Sequence, residues 1–542
     1  MIKRILILLA ISSVTFAQYS PRSFHLKNES NRLLKTIASP KVKQSTPQSN
    51  SIQDIITTDD LVILGTSRGL SISDDNGEYW KNYYNTEPFG DDGTTAIGFD
   101  NGVIWATTGQ TTEVEGGSLL PEGTGIKYST DNGVNWTSLP QPLDDRVDTI
   151  ITYGSNIVHV IPVTTRINNI SYDISFTKNT IWITSFAAGL RKSTDMGQTW
   201  ERVLLPSDTL DSISENDILV DPGDTLDFYK LVYKIDGEDT TVVGKELWLN
   251  HRAFSVLGVG DSTLYVGTAG GINKSTDNGK SWRKISHTNQ ANPISGNFVV
   301  GLGLNEADNS IWAATWKAED KKEFWAVSHS ADGGNNWSIT LPGEHAHNFG
   351  FKYLGGGKSQ VFVPTDKGIF RSRDNGGSWV QPSVIKDSYT NAALMTNIFY
   401  ATTSKHLSAT KYHIWVGSNN GLARLSEQNT DWQGDWKVYI ASKSVKLDET
   451  YAYPNPFSPA QELIKIKYKL SSDAKVTVRI LNFGMELVRV LVQNVDRGNG
   501  DRLEYWDGKD EMGNVVTNGV YFYRIDSEVL GEPLFGKIMV LK

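Results

Sequence analysis

The side chains best suited to chemistry lie in the longer insertions between the predicted strands. Arginine, tryptophan, histidine and carboxylate side chains recur there, namely Arg68, Glu113, Glu115, Trp316, Glu319, Asp320, Glu344, His345, His347 and Asp366. An exposed tryptophan ring can stack on a sugar ring, and neighbouring carboxylates can bind its hydroxyl groups. These residues are therefore candidate ligand-binding positions, with an extracellular glycan or protein as the partner.

The same residues also have an interpretation without a ligand. Trp316 can cap the end of a sheet, and the carboxylates can be solvated loop charges. His345 and His347 form a His-x-His pair without the third and fourth ligands that a metal site needs. Calcium takes oxygen ligands, and the insertion at 208–239 is acidic, with Asp217, Asp221, Asp224, Asp227, Asp236 and Asp239. A charge run of this kind is more often a solvated insertion, so we predict no metal and no cofactor.

Catalytic residues cannot be assigned from the sequence. Glycosidic cleavage needs two carboxyl groups at a fixed separation, or a tyrosine nucleophile beside an arginine cluster. The loops contain too many Asp and Glu residues to pair, and no nucleophile motif with Ser, His and Asp stands out. A binding protein needs fewer features than an enzyme, so the sequence favours binding.

A segment of the form SxDxGxxW must position these loops, and it occurs six times, beginning at residues 73, 129, 193, 275, 330 and 372. Its Ser and Asp side chains can bind backbone amides a few positions on, and its Gly supplies a positive φ. The Trp adds a large apolar ring for burial. Each copy predicts a self-braced β-hairpin. The box residues are Ser73, Asp75, Gly77, Trp80, Ser129, Asp131, Gly133, Trp136, Ser193, Asp195, Gly197, Trp200, Ser275, Asp277, Gly279, Trp282, Ser330, Asp332, Gly334, Trp337, Ser372, Asp374, Gly376 and Trp379.

A second element lies upstream of each box and is short, β-branched and aromatic, as strands are. It occurs seven times, at 61–66, 104–107, 181–184, 264–268, 311–315, 361–365 and 414–418. After the last copy, residues 423–432 read as a decayed box hairpin that ends at Trp432. The chain therefore contains seven units, and a period of tens of residues is typical of a propeller or solenoid.

On these boxes, residues 51–442 resemble the Asp-box, or BNR, β-propellers. The resemblance implies an all-β, seven-bladed propeller with roughly 40 to 50 residues per four-stranded blade plus insertions. The boxes then join strands three and four, and the candidate ligand-binding residues lie on the opposite face. The motif does not name a function, since it recurs in sialidases, xyloglucan-cleaving hydrolases, sortilin-type receptors and photosystem assembly factors.

Residues 451–542 are expected to form a separate, small β-sandwich. The region contains YPNPF at 453–457, an alternating strand at 463–470, WDGKDxxGxxVxxGxYFYR at 506–524 and a final GKIMVLK. On these motifs it resembles the FlgD Ig-like domains that act as C-terminal sorting tails. That resemblance implies type IX secretion machinery as a partner, in a Bacteroidota-like bacterium.

The remaining segments and the composition agree with export. Residues 1–17 read as a secretory signal peptide, 18–50 as a flexible leader and 443–450 as a linker. Alternatively, a leader segment such as 33–38 closes the propeller ring. The chain has no cysteine and a formal charge of −9, which argues against disulfides, a lipoprotein anchor and nucleic acid as a partner. No later stretch is apolar enough to span a membrane.

These observations predict a secreted or cell-surface propeller that binds a glycan or protein through its loop face. The alternative is a secreted glycoside hydrolase, either sialidase-like or xyloglucan-hydrolase-like.

Overall fold

The structure is a computed structural model. It describes residues 44–114, 116–219, 225–227, 230–235, 238–243, 248–318, 320–390, 392–408, 410–428, 431–441, 445–459 and 463–541. The fold is all-β, with a short 3-10 helix at Leu249–His251. The chain forms two compact units. The first runs up to Pro382 and includes Thr396–Leu422 and Glu427–Trp432, and the second comprises Ser383–Met395, Ala423–Ser426 and Gln433–Lys542.

Seven antiparallel sheets, numbered here in chain order, follow one another along the described chain before the C-terminal region. Sheet 1 contains β1 (Ile52–Thr57), β2 (Val62–Thr66), β3 (Leu70–Ser73) and β4 (Lys81–Tyr83), and sheet 2 contains β5 (Gly93–Asp100), β6 (Val103–Glu113), β7 (Leu119–Ser129) and β8 (Thr137–Leu139). The next two strands are β9 (Ile150–Tyr153) and β10 (Asn156–His159). Sheet 3 contains β11 (Ser171–Thr177), β12 (Thr180–Ser185), β13 (Gly189–Ser193) and β14 (Glu201–Val203).

Four further strands lie in the long insertion, namely β15 (Ser212–Ser214), β16 (Thr225–Asp227), β17 (Lys230–Ile235) and β18 (Glu238–Val243). β16 pairs with β10, and β17 pairs with β18. Sheet 4 contains β19 (Ala253–Val259), β20 (Thr263–Thr268), β21 (Gly271–Ser275) and β22 (Ser281–Ile285), with β15 added at its outer edge.

The last three of the seven sheets follow the same order. Sheet 5 contains β23 (Phe298–Asn305), β24 (Ser310–Trp316), β25 (Ala326–Ser330) and β26 (Ser338–Thr340). Sheet 6 contains β27 (Gly350–Gly355), β28 (Lys358–Thr365) and β29 (Gly368–Ser372), and sheet 7 contains β30 (Phe399–Ser408), β31 (Lys411–Ser418), β32 (Leu422–Gln428) and β33 (Gly434–Tyr439).

The seven predicted apolar runs are confirmed as the second strand of each sheet. A second strand has a neighbour on both sides and both of its faces covered. For example, all six residues of β12 are buried, as are all seven of β24. This burial explains why the runs are continuously apolar instead of alternating.

The box turns have the hydrogen bonds that their residue types predict. In the fourth copy Ser275 Oγ donates to Asp277 Oδ1 at 2.7 Å and accepts from Gly279 N at 2.9 Å, and Asp277 Oδ1 accepts from Ser281 N at 2.9 Å. The other five copies repeat this set. Gly279 has φ +83°, a left-handed conformation that favours glycine. Each box is therefore a turn braced by its own side chains.

The boxes begin at the end of the third strand of sheets 1 to 6, as predicted. In sheets 1 to 5 a fourth strand follows the box. In sheet 6 the fourth strand is reduced to a single bridge between Arg371 and Val380. In the decayed seventh copy at 423–432, residues 423–428 belong to β32, and Trp432 lies before β33.

The first strands of the seven sheets lie next to one another in circular order. β5 contacts β1 and β11, β19 contacts β11 and β23, and β30 contacts β27 and β1. Between sheets 5 and 6, Gly303 of β23 lies against the side chain of Phe349. Sheets arranged in this way are typical of a β-propeller.

The first and last sheets meet by side-chain packing. Trp80 and Trp415 are both fully buried and cross edge to face at 6.0 Å. The hydroxyls of Thr57 and Thr403 lie 3.3 Å apart, and Gly417 lies against Ile52. Sheet 1 contains only β1 to β4, so the part of the chain that the structure describes contains no strand exchanged between the two ends.

Residues 44–50, which the sequence assigned to a flexible leader, pack on sheet 1. Gln44 and Trp80 exchange two backbone hydrogen bonds, and Asn82 Nδ2 donates to the Thr46 carbonyl. The predicted boundary at residue 50 is therefore too late. The predicted signal peptide, most of the leader and the alternative ring-closing segment at 33–38 lie outside the described residues.

The C-terminal region forms two sheets around one core. The first contains β34 (Tyr451–Tyr453), β35 (Ile464–Leu470) and β38 (Gly500–Trp506), and the second contains β36 (Ala474–Leu481), β37 (Leu487–Arg497), β39 (Gly519–Ser527) and β40 (Leu534–Val540). Ile466, Tyr468, Val478 and Tyr523 are fully buried in a single apolar cluster contributed by both sheets. The alternating run at 463–470 is thus confirmed as a strand that faces this interior.

Acid should destabilise the fold through the boxes. Hydrogen bonds from Thr199 and from Ser378 hold the pKa values of Asp195 and Asp374 at about 2. A depressed pKa stabilises the folded state above the unfolded value of about 3.9, and the contribution is lost as the pH falls toward the folded value. We expect the free energy of unfolding in urea to fall between pH 4 and 2, and to fall less steeply in Asp195→Asn. Equal slopes for Asp195→Asn and an Asp59→Asn control would contradict this.

The closure between sheets 1 and 7 should be sensitive to one added methyl group. A Cβ at Gly417 would lie 2.8 Å from Ile52 Cγ2, so Gly417→Ala should lower the free energy of unfolding by about 1–3 kcal/mol. Combining it with Ile52→Ala should cost less than the sum of the two single changes. Gly531→Ala, where the added Cβ meets open space, is the control. Strict additivity in urea titrations would show that the two residues do not clash.

Candidate functional site

Four of the predicted residues come together where three connections meet. Trp316 is the last residue of β24, His345 and His347 lie between β26 and β27, and Asp366 lies in the turn between β28 and β29. Because these positions are ends of second strands or connections between sheets, they lie away from the box turns. The structure adds Trp325, which immediately precedes β25. We call these five residues the histidine cluster.

A single carboxylate joins the two imidazoles. Asp366 Oδ2 lies 3.0 Å from His345 Nδ1, and Oδ1 lies 2.8 Å from His347 Nε2. An ionised carboxylate only accepts, so each of these imidazole nitrogens carries the proton and donates it. Partial burial alone would raise the pKa of Asp366, but the hydrogen bonds from His347 and His345 outweigh it and keep the pKa below its ordinary value.

The prediction that Trp316 exposes its ring is wrong. Trp316 is only 6% exposed, and its Nε1 donates to the Ala346 carbonyl at 2.9 Å. Its ring packs against His345 and His347 at 5.2 and 5.7 Å. Trp316 therefore supports the imidazoles from beneath, as in the interpretation that it caps a sheet.

Trp325 supplies the exposed ring instead. It is 39% exposed and meets His345 edge to face at 4.7 Å. The preceding Phe324 is 38% exposed. An aromatic surface thus adjoins His345 and Asp366, whose side chains are 32% and 38% exposed. The sequence signal for Trp325 was its position at the end of the insertion that follows β24.

The loop that carries Trp325 is held by a buried carboxylate. Glu323 is 5% exposed and accepts hydrogen bonds from Ala318 N at 2.6 Å and Asn297 Nδ2 at 2.8 Å. Phe324 N donates to the Ser295 carbonyl, and the Trp325 carbonyl accepts from Gly343 N. Because both flanks are fixed by the backbone, the ring is presented in a defined position.

The inner end of the histidine cluster meets a set of β-bulges. His347 contacts Tyr400 edge to face at 5.3 Å, and Tyr400 is the residue left unpaired by a bulge in β30. The first strands of five other sheets carry a bulge at the matching position. Bulges re-aim side chains, and the bulged residues, all buried, are Gln53, Thr95, Tyr172, Phe254, Val300 and Tyr400.

The other described candidate residues are not members of the histidine cluster. Arg68, Glu113 and Asp320 are exposed, and Asp320 Oδ1 accepts from Lys322 N within its own turn. Glu344 pairs with Lys367 at 3.1 Å, on the chain segments that carry His345 and Asp366. Glu115 and Glu319 lie outside the described residues.

The two imidazole nitrogens that face Asp366 carry protons and so do not act as metal ligands in this arrangement. Both oxygens of Asp366 accept from imidazole nitrogens, and no group of three or more potential ligands suited to a metal ion occurs among the described residues. In the acidic insertion, Asp217 Oδ2 caps its own turn by accepting from Ser214 N. The side chains of the other five aspartates in that insertion are outside the description. The arrangement is suited to stacking an apolar ring and binding hydroxyl groups.

Comparison with known proteins identifies no family for this chain. No protein-family model matches the chain, and no curated protein matches it. Among solved structures, an ancestral GH74 enzyme is 13% identical, covers 91% of this chain and has a TM-score of 0.46. This chain spans 62% of that enzyme's length.

Two further solved structures illustrate the range. A GH74 enzyme from Niastella koreensis is 13% identical, with 91% of this chain and 73% of that chain covered and a TM-score of 0.45. PorZ from Porphyromonas gingivalis, described as a bacterial surface component of the type IX secretion system, is 13% identical, with 91% and 87% covered and a TM-score of 0.21. The neighbours are β-propeller proteins, and identities this low do not transfer a function.

In the part of the chain that the structure describes, no helix is both long enough and apolar enough to cross a membrane.

Removing the charge of Asp366 should loosen the histidine cluster. An amide in Asp366→Asn can accept from only one imidazole while its NH₂ group faces the other, so we expect the free energy of unfolding to fall by about 1 kcal/mol. NMR should show at least one of the two hydrogen-bonded imidazole N–H signals lost to solvent exchange. Asp320→Asn, at an exposed turn, is the control. Two protected N–H signals in Asp366→Asn would contradict the bridging role.

Proposed function

We propose that this protein is an exported, seven-bladed β-propeller that binds a glycan through its loop face. The seven sheets in circular order support the blade count. The fixed aromatic surface of Trp325 beside His345 and Asp366 is the observation that carries the binding proposal.

The chemistry of the site suits a carbohydrate better than a flat protein surface. A sugar ring presents C–H groups on one face and hydroxyls around its edge, and Trp325 offers an exposed aromatic face for stacking. At the edge of that ring, Asp366 can accept from hydroxyls, and Lys367, 64% exposed, can donate to them. Because the loop is already fixed by Glu323, little ordering is needed on binding.

The export proposal depends on the two ends of the chain. Residues 1–17 serve as the signal peptide, and residues 451–542, as an Ig-like sandwich, serve as the sorting domain that type IX secretion machinery reads. The two sheets around one core support a sandwich. The final location is the cell surface or the medium.

A glycoside hydrolase is the second candidate, and one observation favours it. Burial raises the pKa of Asp92, against the effects of a Thr124 hydrogen bond and the charge of Lys127, and the charges of Asp91 and Glu122 raise it further. A carboxyl group with a raised pKa can act as a general acid, which is one of the two carboxyl roles in glycosidic cleavage.

A glycan-binding screen with matched variants tests the proposal. Purified protein should bind one or more neutral or acidic oligosaccharides on an array. Trp325→Ala should weaken the affinity about tenfold, since a stacked aromatic ring contributes about 0.5–1.5 kcal/mol beyond the area that it buries. Tyr79→Ala, which removes a 53% exposed aromatic from the first box, should bind as the wild type does.

The same samples separate the two candidates. Reducing ends released from a retained glycan, and lost in Asp92→Asn but not in Asp59→Asn, would show a hydrolase. Binding without release supports the binding protein. If no glycan is retained, or if Trp325→Ala and Tyr79→Ala bind equally, the proposed loop-face site is wrong.

A further inference from the structure

A cleft lies among the turns at the box end of sheets 5, 6 and 7. Its volume is about 760 Å³, within the range of small-molecule sites. The walls come from the turn after β27, the box that follows β29, and the start of β31, with Asp308 of sheet 5 at the rim. None of these residues belongs to the histidine cluster.

Two cations in this cleft are buried against one carboxylate. Glu427 accepts from Arg371 at 2.5 and 2.8 Å and from Lys352 at 2.7 Å. All three side chains are at most 4% exposed. Lys352 Nζ also sits 4.3 Å over the ring of Tyr412. The wall of the cleft therefore contains a fixed set of buried charges.

The carboxylates around the cleft are already engaged within the protein. Asp308 Oδ1 accepts from Ser310 N and Oγ, and its Oδ2 accepts from Asn375 Nδ2. Asp374 accepts from Ser372 and Ser378 of its own box. The formal charges nearly balance, and each oxygen of these two carboxylates already accepts at least one hydrogen bond.

The donors at the cleft surface are not all taken. Lys358 is exposed and has no hydrogen-bond or ion-pair partner among the described residues. Arg373, 56% exposed, pairs through Nε with Asp431, and its terminal nitrogens have no acceptor within the described part of the chain. Lys358 follows Gly355, Gly356 and Gly357, which all have positive φ and leave the backbone uncovered.

A cleft whose acceptors are occupied and whose donors are free selects a ligand rich in acceptors. We propose that it is a second binding site, selective for a ligand that carries an oxyanion, either a sulfate, a phosphate or a carboxylate group. Arg373 and Lys358 bind the oxyanion, since guanidinium and ammonium groups make their strongest hydrogen bonds to charged oxygens. Arg371, Lys352 and Glu427 hold the wall in place and do not contact the ligand.

Calorimetry on the full chain tests this inference with defined probes. The probes are sodium sulfate, inorganic phosphate, trigalacturonic acid and a sulfated disaccharide, with uncharged maltotriose for comparison. At least one oxyanion probe should bind saturably, and Lys358→Gln and Arg373→Gln should each weaken it about tenfold, the usual effect of losing one charge-assisted hydrogen bond. Binding of the free anions points to an inorganic ligand, and binding of the saccharides alone points to an acidic glycan.

Two controls keep the site distinct from others. Lys280→Gln removes an exposed charge from another box, and Trp325→Ala removes the loop-face ring; neither should change oxyanion binding. The inference is overturned if no oxyanion probe binds, if both cleft variants bind as the wild type does, or if maltotriose binds equally well. Loss of loop-face glycan binding in Trp325→Ala with oxyanion binding intact would show that the two sites are independent.

Discussion

The Ser–Asp–Gly turn is the constraint on which the rest of the structure depends. In every box one serine hydroxyl donates to the aspartate and accepts from the glycine amide, and the aspartate accepts a further backbone amide. These bonds satisfy the polar groups of a tight turn without help from outside. Each hairpin is therefore closed locally, at one end of its sheet. The opposite end of the sheet carries no such requirement, which is where the long insertions and the histidine cluster lie.

Much of the fold could be predicted because its signals are local. The boxes and the apolar second strands each occupy fewer than ten residues, and both recur at the predicted places. The β-bulges could not be predicted, because the residue that a bulge leaves unpaired is set by the neighbouring strand. Tyr400 and Phe254 are aromatic, but Gln53 and Thr95 are polar, so the six bulged positions share no residue type. Residues 44–50 were misassigned for a related reason, since Gln44 is ordered by the distant Trp80.

The candidate site was predicted in part. His345, His347 and Asp366 were singled out individually, but no local pattern indicates that one carboxylate would bridge two imidazoles from a different connection. Trp316 was expected to expose its ring, and Trp325, which does so, was not singled out. Trp316 ends a strand in which every residue is buried, whereas Trp325 follows a loop whose direction is set by the buried Glu323. Exposure at a strand end depends on the neighbouring sheet, which local sequence does not encode.

The junctions on either side of sheet 7 are built on different physical principles. Toward sheet 1, Trp80 and Trp415 pack edge to face in an apolar contact that any close fit would stabilise. Toward sheet 6, Glu427 is fully buried between Arg371 and Lys352.

The ionic junction of Glu427 with Arg371 and Lys352 restricts which side chains can occupy these positions more than it adds stability. Burial alone would raise the pKa of Glu427, and the Arg371 and Lys352 contacts lower it overall. Such a cluster often adds little net stability, because desolvating the charges offsets their attraction, but losing one partner leaves an uncompensated buried charge. Replacing one charged residue of the ionic junction is therefore costly, whereas the apolar junction accepts another side chain of similar shape.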